Sequence, residues 1–146
     1  MIEEQFVLFN VSGTTQREVV GVLVNHAKMA GRITSVAEVV DAVLRREVEG
    51  TTGFGKGIAI PHGKCNAVSE PTLLFARLQN KVEWKAMDDQ PVQALFMILV
   101  PEKSHNDHLK ILAQLARKLM HDDFVEGLLS ITSQSQMVVF LTEQLA

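Results

Sequence analysis

Among the side chains able to do chemistry, His62 has the most distinctive setting. It lies in Thr51 to Lys64, T-T-G-F-G-K-G-I-A-I-P-H-G-K, a stretch that also holds Gly53, Gly55, Gly57, Pro61 and Gly63. Ile58, Ala59 and Ile60 form an apolar run too brief for anything but a small buried strand. Pro61 has no N–H to donate and a fixed φ, so it is expected to end that strand's ladder. Gly63 brings no side chain that would shield the imidazole. The ring is therefore expected at a strand end, facing outward. With an ordinary pKa of about 6.5, imidazole is largely neutral at pH 7 and keeps a nitrogen lone pair. It can ligate a metal, shuttle a proton, or attack phosphorus to form a phosphohistidine.

Three neighbours bear on that chemistry. Val36, Val39, Val40, Val43 and Leu44 make one apolar helix face that runs into Arg45-Arg46-Glu47. Projected at about 100° per residue, Arg45 points into water, Arg46 lies on the flank and Glu47 on the face itself. A carboxylate there needs an Arg or backbone N–H groups as partners. Either the helix end frays and none of this matters, or Arg46 reaches over the histidine loop. The glycines of that loop make an ordinary tight loop or turn N–H groups toward an anion, as in a nest. Gly50-x-x-x-x-Gly55-Lys56 is not a P-loop: Gly57 stands where Ser or Thr should hold Mg²⁺, and Pro61 where a helix should begin. His108 sits in the first turn of a later helix, on its inner side. It either approaches His62 or meets only water. His105-x-x-His108 without a His-Glu-x-x-His frame is weak evidence for a metal. Cys65 reads as a bystander.

The elements that must hold these residues are legible in outline. Phe6 to Val11 reads as a strand. Thr15 with Glu18, and Ser35 with Glu38, are capping boxes for two helices, the first of which stops at Gly31. Thr72 to Leu78 is a strand, Asn80-Lys81 a turn, and Val82 to Trp84 is expected to pair back. Val92 to Val100 is the most apolar strand and should be central, covered on both faces, ending at Pro101. Ser104 with Asp107 starts the helix of His108, with Leu109, Leu112, Leu115, Ala116 and Leu119 on its inner face and Gln114 outside. Helices follow from Asp122 to Leu129 and from Ser133. Interleaved strands and helices imply an α/β fold, a mixed sheet with helices on both faces.

Composition narrows the class. The chain has 146 residues, 47% hydrophobic and 21% charged, with a net charge of −3. That fits one globular domain spanning residues 1–146. No Lys/Arg stripe is present, which disfavours nucleic acid. Ala94 to Val100 is too short to cross a bilayer. The acidic start lacks a signal-peptide layout, and the single cysteine cannot form an internal disulfide, so a cytoplasmic setting is expected.

At Gly57-Ile58-Ala59-Ile60-Pro61-His62-Gly63-Lys64 the sequence resembles the enzyme IIA domain of the bacterial phosphoenolpyruvate-dependent sugar phosphotransferase system, of the fructose, mannitol and nitrogen-regulatory type. Arg46-Glu47 followed by Thr51-Thr52-Gly53, then Trp84, Asp88, Pro91-Val92, Pro101 and His108-Leu109-x-x-Leu112 extend the resemblance over almost the whole chain. It implies a three-layer α/β/α sandwich around a mixed sheet. It implies that His62 accepts a phosphoryl group, with His108 and Arg46 as its supporting pair. The donor would be the phosphohistidine of the histidine-containing phosphocarrier protein. The acceptor would be a cysteine of a IIB partner, and through it the membrane IIC permease. No metal or organic cofactor is implied. Two alternatives stand beside this: a regulator whose phosphorylation state controls binding to another protein, and an anion-binding module with no covalent step.

Overall fold

Val92–Pro101 is apolar on both faces, so it must be covered from both sides. The computed structural model describes residues 2–104 and 107–146, with Asp107 by its backbone alone. In it this segment is β6, the middle of a six-stranded sheet. β6 pairs antiparallel with β5 (Thr72–Val82), and β5 pairs parallel with the edge strand β1 (Val7–Val11). Along its other edge β6 takes two short strands in succession, β3 (Ile58–Ala59) and β4 (His62–Cys65), both parallel to it. β2 (Gly53–Gly55) closes the sheet antiparallel to β3.

Among the described residues, five α-helices flank the sheet. α1 (Gln16–Met29) and α2 (Val36–Glu49) pack on each other, α1 against β5 and α2 against β4. α3 (Asp107–Leu119), α4 (Asp122–Ser130) and α5 (Gln134–Gln144) form the second group, with α4 against β6 and α5 against β1. Leu95, Met97 and Leu99 on one face of β6, and Ala94, Phe96 and Ile98 on the other, are all buried. The result is the expected three-layer α/β/α sandwich with a mixed sheet.

The helix starts follow from local chemistry. The Thr15 hydroxyl accepts the Glu18 N–H at 3.2 Å, and Ser35 Oγ accepts the Glu38 N–H at 3.3 Å, each satisfying an orphan donor of the first turn. The Glu18 carboxylate receives the hydroxyls of Thr14 and Thr15. At the other end of α1, Gly31 takes φ +78°, a left-handed conformation that ends the helix without a Cβ penalty. His26 is structural: its Nε2 meets the Gln5 carbonyl at 2.7 Å, and its ring stands edge-on to Phe6.

Several expectations are corrected. Phe6 belongs to a short 3-10 turn, and β1 starts at Val7. Asn80-Lys81 is not a turn. β5 continues to Val82, which pairs with Val92 after a register shift, so the strand bulges where a turn was expected. Gln114 is not outside: it is half-buried and bonds the Leu145 carbonyl. Leu109, expected on the inner face, is 50% exposed. Pro61 interrupts the ladder but does not end it. The Pro61 carbonyl still accepts the Ile98 N–H, and pairing resumes at His62 opposite Ile98. The Ser104–Asp107 cap and the His105–His108 spacing lie outside the described residues.

Candidate active site

The glycine loop is a hairpin, not an anion nest. β2 and β3 meet through Lys56 and Gly57, at φ +59° and +81°, the two left-handed positions a tight hairpin turn demands. Three of its N–H groups are engaged: Thr52 with the Glu47 carboxylate, Gly53 with the Thr51 hydroxyl, and Lys56 with Asp88. Lys56 also pins the hairpin tip to the end of α3. Its ammonium donates to the Leu119 and Met120 carbonyls and to the Asp122 carboxylate at 2.9–3.1 Å. Gly53 is required by packing, since a Cβ there would lie 2.9 Å from the Ala86 backbone, beside Trp84.

From the hairpin the chain passes through Ile60-Pro61 into β4, and His62 is its first residue. His62 Nδ1 lies 3.0 Å from the Ile60 carbonyl. A carbonyl can only accept, so Nδ1 carries the proton. In the neutral ring Nε2 then holds the lone pair. Burial lowers the His62 pKa below the ordinary histidine value, and the charges of Arg46 and His108 push the same way. The Ile60 hydrogen bond and the Glu47 carboxylate oppose them. The ring is therefore neutral at pH 7 and ready to attack through Nε2.

His62, His108 and Arg46, far apart in sequence, line one cleft of about 560 Å³. The two imidazole centroids are 6.4 Å apart, with planes inclined at 39°. Such a separation leaves room for a tetrahedral group between or beside the rings. Arg46 is half-buried, and its Nη1 donates to the Gly50 carbonyl at 2.7 Å, which holds the guanidinium at the end of α2. That bond answers the question of fraying: the helix end is tied down, and Arg46 is pre-positioned.

Two cations of the cleft were not singled out from the sequence. Lys64 lies two residues beyond His62 on β4, hence on the same face of the strand, and it lines the cleft. The period-two signal was available, but only once β4 was known to be a strand. Arg45 is 79% exposed and paired with Asp41, yet it stands on the rim. Among the described residues that line the cleft, Arg45, Arg46 and Lys64 are cationic and Glu49 is anionic, a lining suited to a phosphoryl group.

Gly63 has a role other than the one expected. Its Cα faces α2, and a Cβ would lie 2.9 Å from Val43 Cγ2 and 3.3 Å from the Val43 nitrogen. The glycine lets β4 approach α2 and thereby brings His62 to Arg46. Glu47 finds the second of its two expected kinds of partner. Its carboxylate accepts both the N–H and the hydroxyl of Thr52. Cys65 is half-buried, and its sulfur receives the Ala67 N–H. A larger cavity of about 870 Å³, lined by Arg17, Glu47, Glu83, Trp84 and Lys85 among others, contains no histidine. Among the described residues no group of three or more His, Cys, Asp or Glu could hold a metal, and no helix is long and apolar enough to cross a membrane.

Comparison with known proteins identifies the family. The family model described as "Phosphoenolpyruvate-dependent sugar phosphotransferase system, EIIA 2" matches residues 1–144. A fructose-specific EIIA component from Haloferax volcanii is 46% identical over 129 residues, which are 88% of this chain and 84% of that protein. A nitrogen regulatory protein from Bradyrhizobium diazoefficiens is 42% identical over 104 residues, 70% and 68% of the two chains. Among solved structures, the nitrogen regulatory protein IIA-Ntr from Neisseria meningitidis superposes with a TM-score of 0.88 at 28% identity, covering 95% of this chain and 94% of that one. Enzyme IIA for mannitol from Escherichia coli, solved in complex with phosphorylated IIB, shares the fold at 20% identity with a TM-score of 0.81, covering 98% of each chain. The protein belongs to the EIIA 2 family of the phosphoenolpyruvate-dependent sugar phosphotransferase system.

Proposed function

We propose that the chain is a phosphoryl relay in which His62 Nε2 is the acceptor, and that Arg46 and His108 stabilise the transferred group. The observation that carries this is the Nδ1–H bond to the Ile60 carbonyl. It leaves the Nε2 lone pair as the nucleophile of a neutral ring beside an arginine. The donor is the phosphohistidine of the histidine-containing phosphocarrier protein. As Nε2 forms its bond to phosphorus, the donor's N–P bond breaks and the donor imidazole leaves. His62 gains positive charge, which the Nδ1–H bond to Ile60 offsets. Charge spreads over the phosphoryl oxygens in flight, where Arg46, Lys64 and His108 meet it. The second step reverses the roles: a cysteine thiolate of a IIB partner attacks phosphorus and His62 leaves, so the group travels on toward the IIC permease and sugar uptake. The mannitol IIA solved with phosphorylated IIB supports a partner of this kind. Docking in turn on one cleft requires weak, fast complexes. A cytoplasmic setting suits both partners, and residues 1–146 act as one domain.

A second reading has its own support. The nitrogen regulatory relatives and the IIA-Ntr structure suggest a domain whose phosphorylation state governs binding to another protein, with no IIB acceptor. Both readings share the first step. Incubation with phosphoenolpyruvate, enzyme I and the phosphocarrier, followed by intact mass under alkaline conditions, should show one added, acid-labile phosphoryl group, absent in His62→Ala. No gain with an active donor would overturn both. Passage of the label to a IIB domain separates relay from regulator.

A further inference from the structure

We infer that Glu47 is a positioning residue, which fixes the tautomer and orientation of His62 through a hydrogen-bonded path running Glu47–Thr52–Ile60–His62. The inference deepens the reading of His62 as the phosphoryl acceptor and rests on it. Each link of the path is present. Glu47 Oε2 accepts the Thr52 N–H at 3.1 Å, and Oε1 accepts the Thr52 hydroxyl. The Thr52 carbonyl accepts the Ile60 N–H at 3.0 Å. The Ile60 carbonyl accepts His62 Nδ1–H at 3.0 Å.

The path matters because of where it runs. Ile60 lies in the gap between β3 and β4, followed by Pro61, whose carbonyl accepts the Ile98 N–H of β6. Pro61 offers no N–H of its own. The Ile60 N–H is held by the Thr52 carbonyl, and Thr52 lies just before β2. Two bonds to one carboxylate hold Thr52 in place. Glu47 is thus the fixed point, set on the last turn of α2 next to Arg46. The same helix end places the guanidinium and, through Thr52 and Ile60, orients the nucleophile. These bonds set the direction of the Ile60 carbonyl, which faces Nδ1 and can only accept. That favours the proton on Nδ1 and the lone pair on Nε2.

The test reads the tautomer directly, without any phosphoryl donor. In uniformly ¹⁵N-labelled full chain, long-range ¹H–¹⁵N correlation above the His62 pKa should show a protonated Nδ1 and an unprotonated Nε2. Glu47→Ala should yield a mixture of tautomers and slow phosphorylation by about ten- to a hundredfold, the loss expected from a misaimed nucleophile. Glu47→Gln should keep the wild-type tautomer, because the amide oxygen can accept the Thr52 N–H while the Thr52 hydroxyl reverses to accept from the amide nitrogen. Glu47→Ala that is folded and keeps the wild-type tautomer overturns the inference. So does Glu47→Gln behaving like alanine, which would leave charge and not the hydrogen bonds as the cause. Should Glu47→Ala not fold, Glu47→Leu decides: it is close to Glu in size but can accept neither Thr52 bond, and an unchanged His62 tautomer refutes the path. An intact tautomer pattern in a wild-type protein that takes no phosphoryl group would instead refute the proposed function and leave this inference standing.

Discussion

Replacing Gly63 by alanine separates two accounts of that glycine. If it served only to bare the imidazole, a methyl group would leave stability alone and slow phosphoryl transfer. The structure points the other way. The new Cβ would lie 2.9 Å from Val43 Cγ2 and 3.3 Å from the Val43 nitrogen. Carbon atoms are at ease at about 3.5–4.0 Å, so β4 and α2 must part by roughly 0.6 Å or more. Val43 is fully buried and β-branched, with no free rotamer into which it can retreat. Overpacking of this kind costs about 1–3 kcal/mol. For a chain of this size that is a fall in Tm of about 2–4 °C per kcal/mol. Equilibrium urea unfolding, with calorimetry as a check, measures it. Val43→Ala alone should cost about 2 kcal/mol, two lost methyls and a partial cavity. The two together should cost less than their sum by about 1 kcal/mol, because the shorter side chain makes room for the new methyl. A Gly63→Ala protein within about 0.5 kcal/mol of wild type would refute the packing argument, since surface changes are that small. Strict additivity with Val43→Ala would place the strain elsewhere.

Three further outcomes follow from the same geometry. Arg46→Gln should slow phosphorylation of His62 by about a hundredfold, while the loss of its bond to the Gly50 carbonyl lowers stability by only about 1 kcal/mol; rapid-quench kinetics and urea midpoints read the two separately. Lys56→Met should lower stability by about 1–2 kcal/mol, because the ammonium caps the carbonyls at the end of α3 and joins them to the hairpin; a thermal scan showing no change would deny the clamp any weight. Burial lowers the His62 pKa, so below about 6.5 the unfolded chain takes up a proton that the folded ring resists. The stability this group contributes is therefore complete above that pH and lost as pH falls through the folded pKa. His62→Gln should flatten that part of the pH–stability curve, and the wild-type rate of phosphoryl acceptance should persist below pH 6.5 before it declines.

Much of this protein is written locally. The apolar run from Val92 to Val100 could be satisfied only in the middle of a covered sheet, and it is. Thr15 and Ser35 cap their helices because the rule they obey spans only three residues. Pro61-His62-Gly63 singled out His62 as the candidate acceptor from three neighbouring residues. The partnering of Glu47 was half legible: a carboxylate on an apolar face had to find donors, but which donors depended on where the loop returned.

What the tertiary structure decided was everything that depends on distance across the fold. Asn80-Lys81 has turn residues, yet β5 runs on, because pairing of Val82 with Val92 outweighs local preference. The glycines before His62 resemble a nest in sequence, and become a hairpin because Lys56 finds Asp88, Asp122 and two helix carbonyls more than thirty residues away. Gly63 is adjacent to His62 in the chain, but its reason is Val43 on another element. His62, Arg46 and His108 meet in one cleft because β4 resumes pairing with β6 after the proline, packs on α2 through a bare Cα, and stands opposite the start of α3. Residue types and short spacings fix which groups can react and which local turns can form. Which groups come within reach of one another is a property of the sheet register and helix packing, and no local pattern contains it.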